Sequence, residues 1–265
     1  GGMGCNLGRN LVARGATLSM FHPPADSFGT QPFRNVASQF PELQAARVFD
    51  DLHGFAQSLP SPRIIFMMVP PGRQVDDFLS TLTPMLSKGD VLIDGSNAHY
   101  DDTTRRVNAL QEIGIHLIGC GFSGGDDAIL NGPSIMPGGS REGYEIAAPV
   151  LRNMAATAVD GSPCCAYIGP EGAGHFVKIV HNGIEYAEMQ LLAEVYSLLR
   201  WAVGLTPDHI AEVMKSWKTT DASGYLLDIT LNILRQKEND QWVIDSILDS
   251  ASHKGSGVWA VTAAA

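Results

Sequence analysis

Four polar residues stand on one face of a segment that otherwise reads as an apolar helix. In GAGHFVKIVHNGIEYAEMQLL, residues 172–192, they are Lys178, His181, Asn182 and Glu185. At ~100° per residue, His181, Asn182 and Glu185 fall about 300°, 40° and 340° from Lys178, all within a sector of about 100°. A rise of ~1.5 Å per residue spreads them along about 10.5 Å of helix. Phe176, Val177, Ile179, Val180, Ile184 and Met189 occupy much of the remaining circumference, which predicts a buried helix. A buried amine, imidazole, carboxamide and carboxylate need partners, because unpaired burial costs several kcal/mol. The competing reading is a solvated face laced with ion pairs. Lys178 and Glu185 are too far apart for an i,i+4 pair, which weakens it. The pattern points instead to a cleft lining, in which a desolvated Lys178 can serve as a base.

Other segments carry groups suited to the same cleft. DGSNAHY (94–100) places Asn97 just after an apolar run, at the strand end where open α/β sheets bind ligands; the alternative is a plain turn asparagine. GFSGGDDAILNGPSIMPGG (121–139) puts Ser123, Gly124 and Gly125 directly after another run. Small residues there let backbone N–H groups approach a carboxylate or phosphate; the alternative is a tight turn. At the N-terminus, Gly1, Gly2, Met3 and Gly4 precede a helical pattern. Gly1 and Gly4 fit the second and third glycines of a dinucleotide-binding GxGxxG. After the next strand, an acid would bind a ribose 2′-hydroxyl and an arginine a 2′-phosphate. Here His22-Pro23-Pro24 stands instead, and His22 reads as a turn residue or a phosphate contact.

These groups need a scaffold, and the sequence supplies one. Residues 5–14 have helical spacing and end at Gly15. ATLSMF (16–21), RIIFMMV (63–69), DVLIDG (90–95) and IHLIGCG (115–121) read as buried strands. RQVDDFLSTLTPML (73–86) reads as a helix between two of them. Strands alternating with helices predict an open, mainly parallel, doubly wound α/β sheet of the Rossmann type. From Ala173 to about Val203 good helix formers dominate, Pro207 and Asp208 start another helix, and DASGYLLDITLNILRQ offers one more. No strand signal appears until the end of the chain. The expected division is a dinucleotide-binding domain over 1–170 and an all-α substrate and dimerisation domain over 171–265.

Composition narrows the partners. The 265 residues are 45% hydrophobic with a net charge of −10, and mean hydropathy is +0.02. An acidic chain argues against nucleic acid, which needs a basic footprint. No apolar run reaches the ~18–20 residues of a membrane span, and no secretory leader is evident. Cys5, Cys120, Cys164 and Cys165 form neither a disulfide framework nor a zinc motif, so reduced, buried thiols and no metal are expected.

FSGGDDAILNGPSIMPGG and GAGHFVKIVHNGIEY resemble the decarboxylating 6-phosphogluconate dehydrogenases of the β-hydroxyacid dehydrogenase superfamily. DGSNAHYDDTTRR, CCAYIGPEG and the terminal HKGSGVWAV agree. The likeness spans essentially the whole chain. Its helix signature, K-x-x-H-N-x-x-E-Y, is specific: sister enzymes show K-x-x-N-N. The resemblance implies a cytoplasmic homodimer that oxidises a phosphorylated sugar acid with NADP, or with NAD. It implies that Lys178 takes the proton of the substrate 3-hydroxyl, and that Glu185 protonates C1 of the enediol after CO2 leaves. Asn97, Ser123, Gly124, Gly125, His181 and Asn182 would orient the substrate. Tyr186, Lys254 and Ser256 would hold its phosphate. Gly1, Gly2, Met3, Gly4, His22, Val69 and Asn97 would line the cofactor.

The sequence departs from the family in two places. His22-Pro23-Pro24 replaces Asn-Arg-Thr, whose arginine meets the 2′-phosphate, and Pro70-Pro71 replaces Lys-Ala. Relative to the family the chain is expected to be truncated at both ends, without the tail arginine and histidine that complete a partner's site. The alternatives are another β-hydroxyacid dehydrogenase and a non-catalytic nucleotide-binding paralogue.

Overall fold

Apolar runs bounded by Gly, Pro and Asp become the central strands of the computed structural model, which describes residues 2–22, 40–248 and 250. The chain forms two compact units, Gly1–Ile179 and Val180–Ala265.

In the first unit, helix α1 (Gly2–Ala13) leads to β1 (Ser19–Phe21) and β2 (Arg47–Phe49). Then follow α2 (Leu52–Gln57), β3 (Ile64–Met67), α3 (Arg73–Leu82), β4 (Val91–Asp94) and α4 (Tyr100–Glu112). Strand β5 (His116–Ser123), α5 (Asp126–Asn131), β6 (Ser134–Gly139) and α6 (Arg141–Met154) complete the layer. Strands β3, β4 and β5 pair in parallel, β6 joins antiparallel to β5, and β1 pairs with β2 in a separate parallel ladder. Every residue of β4 is buried, as a strand covered by helices on both faces must be. One core gathers Leu7, Leu11, Val91, Ile93, Ile118 and Leu151; another gathers Phe55, Ile65, Met67, Leu79, Leu92 and Leu117.

The predicted Rossmann-type arrangement is present, with differences. Helix α1 begins at Gly2, so Met3 and Gly4 lie inside its first turn rather than before it. ATLSMF gives only three half-buried strand residues, because β1 has the short β2 as its ladder partner and no ladder to β3. Strand β6 was not anticipated: SIMPGG carries a proline and two glycines, which weaken a strand signal.

Buried Asn10 fixes α1. Its amide donates to the carbonyls of Ile129 at 2.9 Å and Met154 at 3.3 Å. These lie on α5 and α6, so one carboxamide ties the N-terminal helix to the segment following Ser123–Gly125.

Helix α7 (Ala173–Ser197) starts in the first unit. Its opening residues lie directly on the β5–β6 ladder. A Cβ on Gly138 would collide with the Gly174 backbone, and one on Gly174 would strike the carbonyls of Gly119 and Met136. A Cβ on Gly121 would come within 2.5 Å of the Lys178 Cβ. Glycine is used here because backbone must approach backbone.

The second unit packs the later turns of α7 with α8 (Pro207–Lys215) and α9 (Tyr225–Leu234) around Ile210, Met214, Leu227 and Leu231. Thr206 caps α8 through the His209 N–H. A π-helical turn, Leu198–Ala202, follows α7. The expectation of no strand in this half until the end of the chain is corrected by a hairpin, β7 (Lys237–Glu238) with β8 (Gln241–Trp242). Asn239 and Asp240 both have positive φ, the conformation of a two-residue I′ turn.

Gly138→Ala should destabilise the protein by at least about 2 kcal/mol, because backbone cannot yield as a side chain can. Urea unfolding measures this; an unchanged midpoint would refute the tight crossing.

Candidate active site

Two strand ends and one helix bring the polar groups of the first unit together. Strand β4 ends at Asp94, and Asn97 stands half-buried in the turn beyond it, between buried Ser96 and Ala98. Strand β5 ends at Ser123. Gly124 follows with φ +118°, and a Cβ there would collide with Ala128, so this turn requires glycine. Gly125 has open space around it. Lys178 is 7% exposed, with its stem laid against Gly121.

In the second unit the same helix carries Asn182, 8% exposed, and half-buried His181. The His181 Nδ1 stands 3.3 Å from the Asn182 Oδ1 and 3.8 Å from the Glu185 Oε2. Tyr186 is exposed. Lys178 and Asn182 are thus buried along the stripe. The expectation that apolar side chains bury the rest of the circumference is corrected. Phe176, Val180, Ile184 and Met189 are exposed, Ile184 by 65%. In the first unit the floor of β5 and β6 lies under Gly174, His175 and Lys178, and the Phe176 ring meets Tyr100 edge-on at 5.2 Å.

At the nucleotide end, α1 has no acidic residue in its first turn, and a Cβ on Gly2 would meet nothing within 4 Å. An anion there faces open backbone N–H groups and the positive end of the helix dipole. These features fit a dinucleotide pyrophosphate. A Cβ added on Gly8 would stand 3.0 Å from Met20 Cε and 3.1 Å from Leu18 Cδ2. His22 is half-buried and its N–H donates to the Phe49 carbonyl at 3.2 Å, so it extends the β1–β2 ladder rather than standing in a loose turn. Val69 packs against the core beneath β3. Gly1, Pro23, Pro24, Lys254 and Ser256 lie outside the described residues.

A buried polar layer supports the Asn97 turn, and the motif reading missed it. The Asp94 Oδ1 accepts the Ser96 N–H at 3.0 Å. Its other oxygen lies 3.9 Å from the Arg106 Nη1. Arg106, itself buried, grips Asp76 with Nε and Nη2, both at 2.9 Å, and donates to the Gly72 carbonyl at 3.0 Å. Buried His175 bonds Thr103 and the Asp94 carbonyl. A signal existed for His175: it lies about 60° from Lys178 on the helical wheel, on the same face.

Cys5, Cys120, Cys164 and Cys165 are free thiols, and Cys164 is only half-buried. Burial pushes the Cys165 thiol up to about 11. Among the described residues no group of His, Cys, Asp or Glu is placed to hold a metal, and no helix is long and apolar enough to cross a membrane.

These features define a Rossmann-type nucleotide-binding domain followed by a helical C-terminal domain. Residues 1–169 match the NAD binding domain of 6-phosphogluconate dehydrogenase, and residues 174–265 match the 6-phosphogluconate dehydrogenase C-terminal domain. The chain belongs to the 6-phosphogluconate dehydrogenase family. It is 45% identical over 261 residues to the decarboxylating 6-phosphogluconate dehydrogenase of Bacillus licheniformis, covering 98% of this chain and 54% of that protein. It is equally similar, with the same coverage, to a Bacillus subtilis relative named as NAD(+)-dependent and decarboxylating. Among solved structures, the Plasmodium falciparum 6-phosphogluconate dehydrogenase superposes with a TM-score of 0.89 at 31% identity, over 98% of this chain and 55% of that one. That enzyme is described in its apo form and in complex with NADP+ and with 6-phosphogluconate. The chain spans about half the length of the curated relatives it matches.

The Asp76 carboxyl is held down at about 2, first by its hydrogen bonds from Arg106 and then by Arg105, against burial, which raises it. A carboxyl lowered on folding contributes stability above its unfolded value of ~4 and loses it as pH falls through the folded value. Urea midpoints of wild type and Asp76→Asn should therefore converge between about pH 4 and pH 2. A gap that stays constant through that window would contradict the assignment.

Proposed function

We propose that the whole protein catalyses oxidative decarboxylation of 6-phosphogluconate to ribulose 5-phosphate and CO2, with NADP, or NAD, as the acceptor. The observation that carries this reading is Lys178, buried against Gly121 at the start of a helix that also bears His181, Asn182 and Glu185. Family membership supports it.

In this reading Gly1, Gly2, Met3 and Gly4 hold the pyrophosphate, with His22, Val69 and Asn97 along the strand ends. The bound nicotinamide supplies a hydride acceptor. Lys178, entering as a neutral amine, takes the proton from the substrate 3-hydroxyl as C3 is oxidised. The resulting ammonium donates to the new carbonyl oxygen and stabilises the charge that develops there as CO2 leaves. Glu185 then protonates C1 of the enediol. Asn97, Ser123, Gly124, Gly125, His181 and Asn182 orient the carboxylate and hydroxyls. Tyr186, Lys254 and Ser256 hold the phosphate.

Residues 1–170 serve as the dinucleotide domain and 171–265 as part of the substrate and dimerisation domain. The exposed Ile184, Met189, Leu191 and Trp201 support assembly as a homodimer, since apolar surface of this kind marks interaction sites. The protein works in the cytoplasm.

The assay uses full-length protein with 6-phosphogluconate, NADP and NAD in parallel, followed by reduced-nicotinamide absorbance. Lys178→Met should lower kcat by about 10³-fold and Glu185→Gln by about 10²-fold, within the range of lost acid–base catalysis. Both variants retaining wild-type kcat would overturn the roles; no turnover with either dinucleotide would overturn the activity.

A further inference from the structure

His175 enters α7 one turn before Lys178, on the same face, and is 1% exposed. Its Nε2 lies 3.1 Å from the Asp94 carbonyl oxygen. A carbonyl can only accept, so Nε2 carries a proton. Its Nδ1 lies 2.7 Å from the Thr103 Oγ1. Burial lowers the imidazole pKa, opposed by Asp94, a shift in the direction of the neutral ring. In the neutral ring with Nε2 protonated, Nδ1 is an acceptor, and the single Thr103 hydroxyl proton is shared between Nδ1 at 2.7 Å and the more distant His99 carbonyl oxygen at 3.2 Å. Both nitrogens are committed, which fixes tautomer and ring plane together.

The ring joins three elements: α7, the end of β4 and the first turn of α4. The ring cannot swing toward the sheet, because Gly119 lies beneath it. Even a Cβ on Gly119 would stand 3.1 Å from Nδ1 and 2.5 Å from the Thr103 Cγ2. Asp94 is held in turn by the Ser96 N–H and faces Arg106. Asn97 follows three residues later. One imidazole thus connects the backbone preceding Asn97 to the helical turn bearing Lys178.

We propose that His175 is a positioning residue that sets Lys178 against the Asn97 turn through its Nε2–H bond to the Asp94 carbonyl. This rests on the reading of Lys178 as the base. A core-filling ring would need the volume only; a positioning ring needs the donor at Nε2.

The test compares His175→Gln, whose amide nitrogen can take the Nε2 position, with His175→Asn, whose amide nitrogen takes the Nδ1 position. Thr103→Val, which removes the hydroxyl and keeps the shape, is the third variant. With full-length protein and 6-phosphogluconate, His175→Asn should lower kcat by about 10²-fold, the scale of a small misplacement of a catalytic group. His175→Gln should stay within about tenfold of wild type, and Thr103→Val should fall between them. The calorimetric Kd for the dinucleotide should change by less than about threefold in all three. Hydrogen exchange supplies a readout independent of turnover: amides at 95–98 and at 176–179 should lose protection together in His175→Asn, and keep it in His175→Gln. Should wild type show no turnover, the proposed activity falls and the exchange experiment alone decides the coupling. Equal kcat in folded Asn and Gln variants, or lost protection in one segment without the other, would overturn the proposal.

Discussion

The first turn of α7 lies closer to the β5–β6 ladder than any helix lined with side chains could. Gly174 of the helix meets Gly119 and Gly138 of the strands, and a Cβ on any of the three would have to displace neighbouring atoms. This contact fixes the height of the helix over the sheet. With the height set, the positions of the next side chains follow. His175 drops over Gly119 and reaches Thr103, and Lys178 lays its stem along Gly121. The same strand then ends at Ser123 and the glycine turn. A lysine so placed has its stem buried and its amine directed by packing rather than by chance.

Close packing alone would leave polar groups stranded, and a second layer answers that. Asp94, Arg106, His175 and Thr103 are all buried. His175 bonds Thr103 and the Asp94 carbonyl, and the Asp94 carboxylate accepts the Ser96 N–H. Arg106 carries the layer outward to Asp76, where charge meets partial solvent. Such a network specifies one arrangement because each member loses its partner if another moves. It is also incomplete: the Asp94 Oδ2 and an Arg106 Nη1 face each other beyond hydrogen-bond distance. Their attraction across 3.9 Å is therefore electrostatic in a poorly solvated setting.

Much of this was legible in the residues. Apolar runs bounded by Gly, Pro and Asp gave β3, β4 and β5, because parallel strands covered on both faces leave a continuous apolar signature. The long helix and its polar stripe were readable from periodicity, and segment likeness pointed to the family. Strand β6 was hidden by its proline and glycines, whose role is the close approach of α7. The β7–β8 hairpin carried its signal in Asn239-Asp240, a turn pair overlooked beside stronger helix patterns. His175 was passed over because a lone histidine on a helix has no motif; its meaning lies in Asp94 and Thr103, both distant in sequence. Periodicity marked Val180 and Ile184 as apolar but could not say what covers them. In the described chain they are exposed.

The central claim is that the glycine floor sets the base in place, and Gly121 tests it most directly. A Cβ there would press on Cβ and Cγ of Lys178, at 2.5 and 3.0 Å. The measurement is kcat for 6-phosphogluconate oxidation by folded, full-length Gly121→Ala, beside the calorimetric Kd for the dinucleotide. The account predicts a kcat lowered by about 10²-fold with a nearly unchanged Kd. A folded Gly121→Ala enzyme with wild-type kcat would contradict it.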